Sequence, residues 1–307
     1  MDRLLTLNKY AAIAHGVSFL AVLGIYALYK NSHSHARAEL YRTSLPTVAD
    51  LTDSPYCNST REEVSQSVGK CLTSPIMGVP VKAHVSFNVI YGTAAFFAIT
   101  AFAHTFYFTD GFHSGAYSSV VAQGWNPYRW VEYGISASLM SVLIGYVLGV
   151  NDVTQLANFA LITAAMQSCG YIVESSLIQP IINEHIIIGA TFAGWLLFLA
   201  LWGPLLYTFW SRVNDVKLNY SGETDASTGK PLKIPAFVWF IVLVQLFNYA
   251  SFGIIQARQV SKALGGGYAM NFSDVEAQYL KLSFAGKLGL ASGIAYGLIY
   301  RTKDCAT

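Results

Sequence analysis

Charged residues are scarce in this chain. Only 12% of its 307 residues are Asp, Glu, Lys or Arg, whereas 53% are hydrophobic. Soluble globular domains carry roughly 25% charged residues, so this chain has too few to cover a water-facing surface of its size. We therefore expect membrane lipid to be its main surroundings. The net charge of +2 is small and scattered along the chain, which gives no indication of nucleic-acid binding.

The sequence also lacks the motifs of common enzyme chemistry. It has no cluster of residues at metal-ligand spacing and no nucleophile elbow, and Gly265-Gly266-Gly267 is without the lysine spacing of a phosphate-binding loop. No charge block or long Ser/Pro/Gly tract divides the chain. We expect a single domain over residues 1–307 that is not an enzyme.

What the chain does have is long apolar runs. A transmembrane helix needs about 20 apolar residues, and its backbone groups must be bonded within the segment. The sequence therefore predicts an all-α membrane protein, a bundle of seven transmembrane helices with a long extracellular loop between the first two. The expected helices are Tyr10–Tyr29, Ala83–Thr109, Tyr128–Val150, Val153–Ser175, Ile186–Trp210, Pro235–Ala257 and Val275–Tyr300.

The loops indicate an orientation, but the signals conflict. Cys57 and Cys71 lie in the long first loop and can form a disulfide, which requires an oxidising compartment. Glycosylation sequons begin at Asn58 in the same loop and at Asn219 in another loop on the same side. These features favour an N-terminus inside the cell. The distribution of Lys and Arg does not support that orientation, and a third sequon, at Asn271, falls on the inner side.

Lys287 is a charge in the middle of the seventh helix, between Asp274 and Arg301. An ionisable side chain at that depth costs at least about 2.5 kcal/mol and indicates a functional site. It can form a structural ion pair, line a water-filled cavity, or form an imine with an aldehyde ligand, because burial favours the neutral, nucleophilic amine. Ser283 lies on the same helix face. Lys281 is close enough to the helix start to be an interfacial anchor.

Glu132 is the best candidate for an opposite charge. With Pro127 as the first residue of its helix, Glu132 is only about 8 Å deep at 1.5 Å per residue. Lys287 is deeper, but helical side chains lean toward the N-terminus, which brings its amine back toward Glu132. Ser136 and Met140 follow at spacings of four on the same face. They line a ligand pocket in one interpretation and pack between helices in the other.

Two histidines lie inside the first two apolar runs, His15 and His104. A histidine in a membrane often only bonds to a neighbour, but histidine also titrates near neutrality and can accept protons. Both interpretations stay open. Glu174 and Glu184 lie near the ends of the fourth and fifth helices, where we expect them to be solvated.

These residues resemble those of the heliorhodopsins, a family of microbial-type rhodopsins. The resemblance rests on Arg129-x-x-Glu132 within the run RWVEYGISAS, on Ser283-x-x-x-Lys287, on histidines in the first two helices, and on the long first loop. It extends over the whole seven-helix body. The two cysteines and the sequons depart from the family pattern and indicate a eukaryotic host or a virus of one.

The resemblance implies that all-trans retinal is bound to Lys287 as a protonated Schiff base. It implies that Glu132 is the counterion, that Ser283 lies beside the Schiff base, and that His15 and His104 lie near it on the cytoplasmic side. Ser136 and Met140 would line the retinal pocket. The family also implies a cytoplasmic N-terminus, an extracellular C-terminus and a homodimer, and we expect the plasma membrane as its location.

The resemblance leaves two functions open. Most members of the family show no ion pumping and have slow photocycles, which suggests light sensing. A sensor would act through a signalling partner that the sequence does not identify. Some viral members conduct protons, so light-driven or light-gated proton or ion transport is the alternative. We favour sensing because the third helix has no carboxylate other than Glu132. A receptor without retinal is a third interpretation of the residues alone.

Overall fold

The computed structural model describes residues 1–28, 37–44, 79–219, 234–265 and 271–304. In chain order, its elements are α1 (Asp2–Leu28), β1 (Arg37–Ser44), β2 (Val79–Asn88), α2 (Val89–Phe108), α3 (Asp110–His113), α4 (Ala116–Ala122), α5 (Pro127–Val147), α6 (Val153–Leu177), α7 (Glu184–Asn219), α8 (Ala236–Leu264) and α9 (Phe272–Asp304). Within these ranges seven helices are long, and the predicted seven-helix membrane bundle is confirmed.

Six of the long helices in the described ranges are apolar and long enough to cross a bilayer: α1, α2, α5, α6, α7 and α8. The seventh, α9, carries Glu276, Lys281 and Lys287. Large apolar side chains face outward from the bundle, among them Tyr10, Leu161 and Tyr207, which are 65%, 68% and 76% exposed. Such a surface is unfavourable in water and suits contact with lipid.

The start of α5 is fixed by local sequence. Asn126 is its N-cap and accepts a hydrogen bond from the backbone N–H of Arg129 at 3.2 Å, and Pro127 is the first helical residue. Both residues are typical of a helix start. Asp152 caps α6 in the same way by accepting from Gln155 N at 2.8 Å. The cap of α5 places Arg129 in the first turn of that helix and Glu132 in the second.

The helices pack so that α5 and α9 meet inside the bundle. α1 packs against α2 and α9, α5 against α2 and α6, and α8 against α7 and α9, with further contacts of α5 to α8 and α9. One half of the interior is a large apolar cluster that includes Phe96, Leu143, Ile144, Trp202 and Ile241. The buried polar residues of the bundle, among them Glu132 and Lys287, are likewise enclosed by protein.

Two helix starts differ from the sequence prediction by six or more residues, and α7 and α8 end at Asn219 and Leu264 rather than at Trp210 and Ala257. α2 begins at Val89 rather than at Ala83, because residues 79–88 form β2, which pairs antiparallel with β1. Residues 83–88 read AHVSFN, and this alternation of apolar and polar residues is the signal of a strand. α1 begins at Asp2 rather than at Tyr10. Its first turns add Leu4 and Asn8 to a buried stripe that continues to His15.

Candidate functional site

Lys287 and Glu132 form an ion pair inside the bundle. Lys287 Nζ lies 3.0 Å from Glu132 Oε1, and the two residues are only 2% and 6% exposed. Lys287 also donates a hydrogen bond of 2.7 Å to Ser283 Oγ, one turn earlier on α9. The ring of Tyr133 lies 5.3 Å from the ammonium nitrogen. The structure thus brings together the lysine, the serine and the carboxylate that the sequence singled out.

Glu132 is held by two hydroxyl groups besides the lysine. Thr100 on α2 and Ser136 on α5 both donate to its Oε1, Ser136 at 2.8 Å. A carboxylate with several charge-assisted hydrogen bonds is stabilised in its ionised form. The sequence analysis did not identify Thr100. Thr100 could have been identified from the sequence by its position one turn before His104, on the same face of α2.

A large cavity opens beside Lys287. Its empty space is about 800 Å³, counting the part that is open to the outside. Ser136 and Met140 line it, as predicted for a pocket wall, together with Ser283 and Lys287. Six further lining residues are aromatic, namely Trp130, Tyr133, Trp195, Phe198, Tyr249 and Phe252, and four more are polar, namely Gln167, Thr191, Asn248 and Gln256.

The cavity fits retinal by its chemistry. A long apolar polyene needs an apolar wall, which the aromatic side chains supply, and its aldehyde needs a buried amine, which Lys287 supplies from the wall. The carboxylate of Glu132 lies within contact distance of that amine. Lys287, Ser283, Ser136 and Met140 are the predicted retinal-binding residues that line this space.

His15 and His104 lie next to each other between α1 and α2. Their rings are stacked, with centroids 5.5 Å apart and planes at 4°. His104 Nδ1 lies 2.7 Å from Asn8 Oδ1, whereas neither ring nitrogen of His15 has a hydrogen-bond partner among the described residues. His15 also packs against Phe284, the neighbour of Ser283 in sequence, at 5.3 Å between ring centroids. Both histidines are therefore near the lysine site without bonding to it.

Arg129 does not pair with Glu132. It lies instead between Glu174 on α6 and Glu276 on α9, and all three side chains are buried. Its Nη2 is 2.9 and 2.8 Å from the two oxygens of Glu174, and its Nη1 contacts Glu276. The expectation that Glu174 is solvated was wrong, because α5 and α9 cover that end of α6. Glu184 is exposed, as expected.

The sequence analysis missed Glu276 entirely. It lies seven residues before Ser283 and eleven before Lys287, a spacing that places all three on one face of α9. That spacing was the signal that could have identified it. Asn126 Nδ2 donates to Glu276 Oε1 at 2.6 Å.

Several predicted features lie outside the described residues. These are Cys57 and Cys71, predicted to form a disulfide, and Asn58 of the first sequon. Asn219 is the last residue of α7, and the other residues of its sequon, Tyr220 and Ser221, are also outside the described ranges.

Comparison with known proteins identifies one family. The heliorhodopsin family matches residues 64–299, well over half of the chain. No curated protein matches the sequence. The match covers α2 to α8 and the part of α9 that contains Lys287. The chain therefore belongs to the heliorhodopsin family and is a multi-pass membrane protein with the fold of the retinal-binding rhodopsins.

Proposed function

We propose that this protein is a light sensor that binds all-trans retinal through Lys287, as a protonated Schiff base with Glu132 as counterion. The observation that carries the proposal is the buried contact of 3.0 Å between Lys287 Nζ and Glu132 Oε1, beside a cavity that Lys287 lines together with six aromatic residues. A purely structural ion pair would need no adjoining cavity. The cavity therefore favours a ligand-bearing lysine over a structural one.

The residues around the pair have distinct roles in this proposal. Glu132 balances the positive charge on the nitrogen of Lys287, and Thr100 and Ser136 hold its carboxylate in place through their hydroxyl groups. Ser283 accepts a hydrogen bond from Lys287 and so orients that nitrogen. When bound, retinal would supply absorption of visible light and a change of shape inside the cavity.

His15 and His104 are the proposed proton acceptors. The unpartnered ring nitrogens of His15 are free to receive a proton, and Asn8 fixes the ring of His104. Asn8 in turn donates to the hydroxyl of Tyr117 at 3.1 Å. This line of polar groups runs toward the side of the membrane where α1 begins.

A second function, light-driven or light-gated proton or ion transport, is the alternative. The polar line from His104 through Asn8 to Tyr117 favours it, because it gives protons a route to one side. Toward the other ends of α2 and α5 the buried side chains are predominantly apolar, among them Phe96, Leu143 and Ile144. A proton route that reaches only one side of the membrane suits a sensor better than a transporter. We propose no enzymatic activity.

The cellular setting that we propose rests on the family to which the chain belongs. The protein would lie in the plasma membrane with its N-terminus in the cytoplasm and its C-terminus outside. It would form a homodimer and act on a signalling partner. Protease accessibility of tags at the two ends of the chain tests the orientation, and the mass of the purified protein in detergent tests the dimer.

An absorption spectrum tests the proposed function. The protein purified after expression with all-trans retinal should show a visible band, and the same protein expressed without retinal should be colourless. A protein that remains colourless with retinal, although folded, would overturn the proposal. Voltage clamp under illumination separates the two functions, because a sensor gives no photocurrent at any membrane potential and a transporter gives one.

A further inference from the structure

The buried charges of the described residues do not balance. Two buried cations, Arg129 and Lys287, stand against three buried carboxyl groups, Glu132, Glu174 and Glu276. Glu132 is matched with Lys287, so the excess lies in the cluster of Arg129, Glu174 and Glu276. We call these three residues the arginine cluster. An uncompensated charge is strongly unfavourable away from water.

Arg129 is well suited to stay charged. Its guanidinium carbon lies 4.1 Å from the ring centroid of Tyr279 and 4.9 Å from that of Trp130, so its charge is also stabilised by aromatic faces. One guanidinium can balance only one carboxylate. Two carboxyl groups that contact the same buried cation resist simultaneous ionisation, because the like charges repel.

We propose that Glu174 and Glu276 share one proton when the protein is in the dark, and that they form a second proton-binding site separate from Lys287. Loss of this proton breaks the O–H bond of one carboxylic acid, passes the proton to water or a buffer base, and leaves two carboxylates around Arg129. The site lies at the end of the bundle where α5 and α9 begin and α6 ends.

Among the residues that the structure describes, no other charged side chain near the arginine cluster could balance it. Asn126 and Trp130 donate to Glu276 and Glu174, respectively. The titratable groups that face the cluster from α5, α9, α4 and α2 are tyrosines, namely Tyr133, Tyr279, Tyr117 and Tyr107. The ion pair of Arg3 and Asp274 is exposed and already matched. A neutral tyrosine cannot supply the missing positive charge, so the balance falls to a proton.

Trp130 connects this site with the retinal cavity. Its indole ring lines the cavity and its N–H donates to Glu174. A change in the shape of the cavity can therefore displace the N–H of Trp130 from Glu174. Because Glu174 then loses a hydrogen-bond donor, the shared proton can move. This coupling rests on the proposed function, whereas the shared proton itself does not require retinal.

Infrared spectroscopy of the protein without retinal tests the shared proton. At neutral pH the wild type should show the C=O band of a protonated carboxylic acid, which shifts when hydrogen is exchanged for deuterium. The band should be lost in Glu174→Gln and in Glu276→Gln, because the remaining carboxylate then matches Arg129. It should persist in Glu132→Gln and in Glu184→Gln, the latter altering an exposed carboxylate.

Three outcomes would overturn the proposal: no such band in the wild type, a band that survives in both cluster variants, or a band lost only in Glu132→Gln. If the cluster variants fail to fold, Glu174→Asp and Glu276→Asp, which keep a carboxyl group, decide, because at least one of them should move the band and a band unmoved in both would overturn the proposal. Light-minus-dark spectra with retinal then test the coupling through Trp130 separately.

Discussion

Lys287 Nζ and Glu132 Oε1 lie 3.0 Å apart although 155 residues separate them in sequence. Both side chains are buried, so neither charge can be screened by water. Removing one partner leaves the other uncompensated, which is strongly destabilising in a protein interior. The pair thus makes the colour and the stability of the pigment sensitive to the residues that touch it.

Replacement of the counterion should change the colour. In Glu132→Gln the positive charge on the Lys287 nitrogen loses its partner and spreads further along the chromophore, so the absorption band should move to the red. Absorption spectroscopy measures the shift. Glu184→Gln, which changes an exposed carboxylate at the start of α7, should leave the band in place. An unshifted band in Glu132→Gln would assign the counterion to another residue.

Removal of the hydroxyl of Thr100 should shift the band in the opposite direction. Thr100→Val keeps the shape of the side chain but takes one donor from Glu132, which concentrates negative charge near Lys287 and tightens the ion pair. We expect a blue shift and a loss of about 1.5–3 kcal/mol of stability, the usual value for a hydrogen bond to a charged group.

Thr105→Val is the matched control for that change. Its hydroxyl donates to the carbonyl of Ala101 within the same helix, so its loss should affect neither the colour nor the thermal bleaching temperature appreciably. Equal effects of the two variants would show that Thr100 does not act through Glu132.

Gly170 should be needed for the shape of the retinal cavity. A methyl group there would overlap the indole ring of Trp130, so Gly170→Ala must displace this ring, which lines the cavity. Overpacking of this kind costs about 1–3 kcal/mol. We expect less retinal bound per protein, measured as the ratio of visible to ultraviolet absorbance.

Gly189→Ala serves as the control for Gly170→Ala, because no atom lies within 4 Å of the added methyl group. That variant should bind retinal fully and gain up to about 1 kcal/mol from its better helix propensity. Normal retinal content in Gly170→Ala would show that Trp130 can move without closing the cavity.

The stacked histidines should control the proton steps of the photocycle. His15→Phe and His104→Phe keep an aromatic ring in the stack but remove the titratable nitrogen atoms. Since acid–base groups typically accelerate proton transfer by a factor on the order of a hundred or more, the proton-transfer phase in flash photolysis should slow by a similar factor. His185→Phe, at the exposed start of α7, should have normal kinetics. Unchanged kinetics in both bundle variants would remove the histidines from the proton path.

Much of the fold could be predicted from the sequence, because a bilayer leaves few alternatives. Backbone groups that must bond within their own segment make an apolar run of sufficient length a helix. The depths of Lys287 and Glu132 and the direction in which helical side chains lean made their pairing plausible, but did not require it. The start of α2 was misplaced because a strand runs directly into the helix at Asn88, and hydropathy alone does not separate the two.

The arginine cluster could not be predicted in the same way. Whether a carboxylate near a helix end is solvated depends on which neighbouring helix covers it, and that is decided by packing rather than by local sequence. Glu174 is buried because α5 brings Arg129 and Trp130 against it. Arg129 and Glu132 lie one turn apart on α5, but the side chain of Arg129 reaches toward α6 and α9 and pairs with Glu174 and Glu276.

Mapping of the covalent link tests the central claim most directly. Reduction of the illuminated pigment with borohydride, followed by peptide mass spectrometry, should place a retinyl group on Lys287. Lys287→Ala should be folded and colourless, whereas Lys281→Ala, which alters an exposed lysine of the same helix, should keep its colour and its adduct at Lys287. An adduct on any other lysine, or a coloured Lys287→Ala protein, would contradict the account.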